Sequence, residues 1–157
     1  MKATIQAVAL SHQVQQLLAA CQLPSDDLQD AANNLRLFGC QADGRLVGLV
    51  GLQMHGADAL LRSLAVADSA RGQGLGAELL AYAERQAATH GVQAIYLLTT
   101  TAEVFFAQRG YRLSDRATAP PAIAATRQFS GLCPASAAFM RKRLSAGEAW
   151  STAPPVP

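Results

Sequence analysis

Charge is scarce in this chain. Only 15% of residues are charged and the net charge is +2, so the basic surplus that drives nucleic-acid binding is missing. Aromatic residues make up 6%, with a single tryptophan. The three cysteines, Cys21, Cys40 and Cys133, form no C-x-x-C pair. An odd, scattered set argues against a disulfide framework and fits reduced thiols in the cytoplasm. The three histidines, His12, His55 and His90, show no ligand spacing, so no metal is expected. No run has the length and purity of a membrane-spanning helix, and no membrane partner is expected. The opening "MKATIQAVALSHQVQQ" has a short apolar run broken at Gln6 and no convincing cleavage site, which argues against a signal peptide. What the chain does have is apolar bulk: 50% of 157 residues, enough for one buried core.

The apolar pattern alternates between the strand and helix periods. Thr4–Leu10 alternates and reads as a strand. Ser11 is placed to cap a helix reaching about Cys21, and Pro24 stops it. Ser25 opens a possible short helix over "SDDLQDAANN". Leu35–Ala42 and Arg45–Met54 read as strands joined at Asp43-Gly44, a strong hairpin signal. Ala59–Ala67 is a further strand. Leu75, Leu79, Leu80, Ala83 and Ala87 make one apolar stripe on a helix from about Leu75 to His90, with Gly91 as its C-terminal cap. Ala94–Thr100 is continuously apolar, a strand buried on both faces. A short helix over Ala102–Gly110, a strand at Tyr111–Asp115, a proline loop and a last strand at Ser136–Leu144 complete one domain, residues 1–145. The proline-rich tail, residues 146–157, is expected to be poorly ordered. The hairpins make the sheet mostly antiparallel, while the strand–helix–strand unit after Ala59 needs a parallel crossover.

That crossover begins with "ARGQGLGAELL". Glycines at 72, 74 and 76 followed by a helix suit an anion held on backbone N–H groups. A nucleoside-triphosphate loop would continue Gly-Lys-Ser/Thr, but here Gly76-Ala77-Glu78 follows. Gly72–Ala77 fits the bare dinucleotide fingerprint. Its context does not fit: hairpins precede it, and the next strand ends in Thr99-Thr100-Thr101 where an acidic ribose partner is wanted.

Read from Arg71, the loop is R-x-x-G-x-G: Arg71, Gly72, Gln73, Gly74, Leu75, Gly76. This resembles the acyl-CoA signature of the GNAT acetyltransferase superfamily. A second segment is similar to that family's N-x-x-A-x-x-L-Y…G-F/Y pattern, with Thr99, Ala102, Phe105, Phe106 and Gly110-Tyr111 in the corresponding places. The resemblance implies an α/β (α+β) GNAT acyl-CoA N-acyltransferase fold. It would be a mixed, mostly antiparallel sheet of about seven strands, flanked by helices and splayed between strands 4 and 5. It also implies acetyl-CoA as co-substrate, a small-molecule amine acceptor and a possible homodimer. Loop residues 71–76 would wrap the pyrophosphate, and Leu64, Ala65 and Val66 would bind pantetheine. The Val66 N–H would polarise the thioester carbonyl, and Thr99 and Phe106 would border the cofactor. The family's usual general acid is a tyrosine; Phe106 stands there and cannot donate a proton. Tyr96 and Tyr111 are the alternatives.

A narrower resemblance, on Tyr96–Glu103 and on Leu132-Cys133-Pro134-Ala135-Ser136, is to a GNAT branch found with arsenic-resistance genes. A sister branch acetylates the α-amino group of arsinothricin and phosphinothricin, amino acids with an anionic side chain. Such an acceptor would want an arginine. Arg62 is the odd charge in the apolar run "ALLRSLAVA", and it either faces solvent or meets an anion. Arg116 and Arg127 lie in the loop region that often borders the acceptor pocket. Glu103, at a helix start, and His55 are the base candidates, and Ser63 could position the amine.

Overall fold

The computed structural model describes residues 4–25, 28, 34–126, 129 and 136–144. The element order is β1 (Ile5–Val8), α1 (His12–Ala20), β2 (Leu35–Ala42), β3 (Arg45–His55), β4 (Asp58–Val66), α2 (Leu75–Thr89), β5 (Ala94–Thr99), α3 (Glu103–Ala107), β6 (Arg112–Leu113), α4 (Pro121–Ala124) and β7 (Ala138–Arg143). The strands form one seven-stranded sheet in the order β1-β2-β3-β4-β5-β7-β6. The β1–β2, β2–β3, β5–β7 and β6–β7 pairs are antiparallel. The β4–β5 pair is parallel, in register from Asp58–Ala94 to Leu60–Tyr96. This is the mixed, mostly antiparallel arrangement expected from hairpins around one crossover.

Two compact units divide the chain: Met1–Gln53 with Leu61–Gln86, and Met54–Leu60 with Ala87–Pro157. In the first, α1 forms where Ser11 accepts the Val14 N–H at 3.4 Å. Its Val14, Leu17 and Leu18, spaced at one helical turn, pack with Leu37, Leu49 and Ala65. The β2–β3 turn takes positive φ at both Asp43 (54°) and Gly44 (76°), the backbone of a type I′ hairpin. In the second unit, Leu60, Tyr96, Leu98, Ile123 and Phe139 form the core. Tyr96 stacks on Phe139 with ring centroids 5.7 Å apart.

The stripe of α2 is buried throughout, from Leu75 and Leu79 to Ala83 and Ala87. β5 is buried along all but its last residue. The expected strand at Tyr111–Asp115 shrinks to Arg112–Leu113, because Tyr111 turns into the core at 2% exposure. The possible helix after Ser25 and the proline-rich tail lie outside the described residues.

Gly51 on β3 is needed for space. A Cβ there would sit 3.2 Å from Leu37 Cδ2, 3.3 Å from the Arg62 carbonyl oxygen and 3.4 Å from Arg62 Cγ. Gly51→Ala is therefore expected to destabilise the fold by about 1–3 kcal/mol through overpacking. Urea unfolding checks this, and an unchanged midpoint would mean the neighbours yield without cost.

Candidate functional site

β4 carries the irregularity on which the site is built. Ser63 has φ 60°, a left-handed conformation in mid-strand that only a bulge accommodates. Arg62 and Ser63 are both buried, at 3% and 6% exposure. Arg62 Nε donates to Ser63 Oγ at 3.3 Å, and its Nη2 donates to the Pro24 carbonyl at 3.4 Å. Arg62 thus neither faces solvent nor stands alone. Ser63 spends its hydroxyl oxygen on that guanidinium.

Beyond the bulge, the Ala67 N–H donates to the Val47 carbonyl at 2.8 Å. Strand N–H groups alternate in direction, so the Val66 N–H is directed away from β3. The Val66 carbonyl accepts from Arg71 Nε at 3.1 Å and from the Cys21 thiol at 3.7 Å. Arg71 also pairs with Asp68 at 2.9 Å and reaches Cys21 Sγ with Nη2 at 3.7 Å. The signature arginine therefore staples the loop to the end of β4.

The loop itself follows a 3₁₀ turn at Asp68–Ala70. Gly72 and Gly74 take φ 80° and 79°, which L side chains rarely adopt. The first helical bond of α2 runs from Glu78 N–H to Gly74 C=O at 3.1 Å. The N–H groups of Leu75, Gly76 and Ala77 precede it and have no acceptor within the helix. Together with the helix dipole they form an anion cradle. Gly76 lies inside the first turn of α2, and only 72 and 74 use glycine's positive φ. Gln73 and Leu75 line a cavity of about 340 Å³ that also includes Cys40 and Glu78. Burial, and then the charge of Glu78, push the Cys40 thiol up, keeping it protonated and inert.

In the second unit, Thr99 Oγ1 accepts the Ala102 N–H at 3.0 Å and so closes the turn that leads into α3. Glu103 is exposed in the first turn of that helix. Phe106 is a core residue at 5% exposure, with Phe105 and Tyr111 rings 5.1 and 5.5 Å away. Tyr111 and Tyr96 are packed aromatics, buried at 2% and 8% exposure. Arg116 donates to the Ala137 carbonyl at 2.8 Å and lies over Phe129. Arg127 and Cys133 lie outside the described residues. His55 ends β3; its Nε2 is buried without a partner. Burial lowers its pKa from the ordinary 6.5, with Asp58 opposing. Among the described residues no group of His, Cys, Asp or Glu could hold a metal ion, and no helix is long and apolar enough to cross a membrane.

Sequence reasoning missed one residue of note. Gln53 is buried at 5% exposure and its Oε1 has no hydrogen-bond partner. The run "GLVGLQMH" signals burial of the strand but not of that amide.

A mixed sheet with one parallel pair, and a glycine cradle opening the crossover helix, define an acyl-CoA N-acyltransferase fold. The acetyltransferase (GNAT) family model matches residues 8–114. The chain belongs to that family. The chain is similar to N-acetylglutamate synthase from Neisseria gonorrhoeae complexed with coenzyme A and N-acetyl-glutamate: TM-score 0.72, 20% identity, over 92% of this chain and 36% of that one. It thus spans little more than a third of that synthase. It is also similar to Rv2747 from Mycobacterium tuberculosis in complex with CoA: TM-score 0.72, 17% identity, over 90% of this chain and 99% of that one. A GNAT acetyltransferase from Staphylococcus aureus matches with TM-score 0.71 and 17% identity, over 90% and 99% of the two chains.

Two predictions follow from this geometry. Gly74→Val forces a β-branched residue to φ 79° and crowds the cradle. Acetyl-CoA affinity should fall at least about tenfold, roughly 1.4 kcal/mol; calorimetry showing unchanged affinity would remove the pyrophosphate assignment. His55 gives a pH signature. Its folded pKa is depressed, so below about pH 6.5 the unfolded state takes up a proton that the folded ring refuses. Stability should fall as pH drops from there toward the lowered folded value. His55→Asn should flatten that slope in urea midpoints measured across the window; an identical slope in both proteins would refute the assignment.

Proposed function

We propose that the chain acetylates the primary amine of a small anionic amino acid, in a cytoplasmic arsenic- or antimetabolite-resistance role. The observation that carries the acceptor class is Arg62. A guanidinium at 3% exposure sits on β4, next to the strained Ser63 and two residues before the Leu64–Val66 segment. The Ser63 hydroxyl oxygen and the Pro24 carbonyl hold this guanidinium in place inside the apolar strand, and a carboxylate or other oxyanion is the ligand best matched to a guanidinium fork. A relative of the same fold, the Neisseria synthase, was solved with N-acetyl-glutamate, which supports an acidic amino acid as the acceptor.

In this reading, the N–H groups at the start of α2 hold the CoA pyrophosphate and the backbone of Leu64–Val66 holds pantetheine. The Val66 N–H faces the thioester oxygen as it gains charge. Glu103 is the candidate base that takes the ammonium proton, so that the neutral amine attacks. No tyrosine assists the leaving group. The CoA thiolate departs as such, as a group with pKa near 8.5 can.

The test is release of free CoA thiol from acetyl-CoA across glutamate, aspartate, phosphinothricin, arsinothricin, polyamines, aminoglycosides and a lysine peptide. Turnover is expected on an acidic amino acid. Arg62→Lys keeps the charge but loses the fork, and should raise KM for that acceptor about tenfold and by more than it weakens acetyl-CoA; an equal loss in both would report a disturbed bulge instead. Turnover confined to the lysine peptide would instead favour a protein substrate. Acetyl-CoA binding with no turnover on any amine would favour the CoA-binding module that the buried Phe106 permits.

A further inference from the structure

A second cavity, of about 300 Å³, opens in the first unit. It lies between α1, the β2–β3 turn and the start of the glycine loop, and no step of acetyl transfer uses it. Its polar lining consists mostly of donors: the amides of Gln13 and Gln16 and the guanidinium groups of Arg45 and Arg71. Asp68 is the one carboxylate in the lining, and it is already paired with Arg71 at 2.9 Å. Two cations against one anion leave the cavity electropositive. Leu17 and Leu46 give it apolar wall.

The lining is also held in place. Gln13 Oε1 accepts the Leu46 N–H at 3.0 Å, tying α1 to the turn and leaving the amide nitrogen for another partner. The turn is the tight Asp43-Gly44 hairpin, with both φ values positive, so Arg45 is presented from a rigid support. Arg71 is the shared element. It lines this cavity and also staples the glycine loop to the Val66 carbonyl.

We propose that this cavity is an effector site for a small organic anion, a carboxylate or phosphate carried on a short apolar body. Arg45 and Arg71 would grip its oxygens, with the two glutamine amides as further donors. The volume is at the lower end of ligand pockets, which limits the ligand to a small molecule. An anion here draws on the outer face of the Arg71 guanidinium while Val66 and Asp68 hold the remainder. The loop is thereby fixed in the geometry that cradles the cofactor. Ordering the loop in advance makes acetyl-CoA bind more tightly, and by linkage acetyl-CoA raises the affinity for the anion equally.

The probes are glutarate and inorganic phosphate, titrated calorimetrically into the full chain and into Arg45→Ala. Saturable glutarate binding is expected in the wild type and not in the variant. Saturating glutarate should tighten acetyl-CoA about fivefold in the wild type alone. Glutarate binding that survives Arg45→Ala would place the anion elsewhere, at Arg62 or the cofactor loop, and overturn the proposal. Phosphate competing with acetyl-CoA equally in both proteins would report the pyrophosphate cradle and count against an effector role for that ion. An acetyl-CoA constant unmoved by bound glutarate would overturn the coupling. Acetyl-CoA titrated alone should bind both proteins equally, which verifies the fold of the variant. Failure of that titration in the wild type would defeat the cofactor reading without touching the glutarate result.

Discussion

Ser63 holds φ 60° in the middle of a buried strand. A non-glycine residue in that region costs about 1–3 kcal/mol and persists only where its surroundings leave no alternative. Here they are specific. The Arg62 Nε–H reaches back to the serine oxygen at 3.3 Å. Gly51, having no side chain, leaves room for the Arg62 carbonyl and Cγ. The Ala67 N–H locks the following segment onto Val47 at 2.8 Å. The bulge resets which way the next peptides face, and the Val66 N–H is turned from β3 as a consequence. The outward direction of the Val66 N–H thus comes from a strain that the buried arginine and a missing side chain sustain.

The glycine loop is held by a different means. Gly72 and Gly74 give it its path, but glycines lose more entropy on ordering than any other residue. Something must offset that, and Arg71 does so with contacts to Val66, Asp68 and Cys21. The Asp68 pair is largely exposed, at 56% and 92% for the two side chains, so screening leaves it about 0–1 kcal/mol. The Val66 carbonyl bond sets the geometry. It makes the last peptide of β4 and the first of the cradle one unit, so the Leu64–Val66 backbone and the glycine loop keep a fixed spacing.

Local chemistry made much of this legible from residues alone. Asp43-Gly44 specifies its turn because two successive positive φ values admit few residue pairs. The α2 stripe and the apolar run of β5 declare themselves by period. The cradle is visible because only glycine follows its path cheaply. Ser63 gave no such signal: nothing about a serine in "LLRSLAV" marks a left-handed residue, and the cause lies on β3, at Gly51. The staple at Arg71 joins residues 50 positions apart. The orphaned oxygen of Gln53 depends on which neighbours fail to reach it. Thr99 could be matched to a family position, yet its bond to the Ala102 N–H is a property of the folded turn.

Phe106 is the sharpest departure from the family pattern, and its burial explains why it is tolerated. Its ring packs between Phe105 and Tyr111 as core, so the position contributes to packing whether or not it carries a hydroxyl. What the phenylalanine lacks, on the proposed reading, is a hydroxyl to protonate the leaving thiolate. Such assistance is worth most when the leaving group is a strong base, and a thiolate with pKa near 8.5 is a weak one. The harder task in acetyl transfer to an amine is to deliver that amine neutral and stabilise the oxyanion beside it. In the proposed reading the second of these falls to the Val66 N–H, which the bulge in β4 turns outward. On that reading, a chain that keeps the bulge, the staple and the cradle keeps the part that water cannot replace.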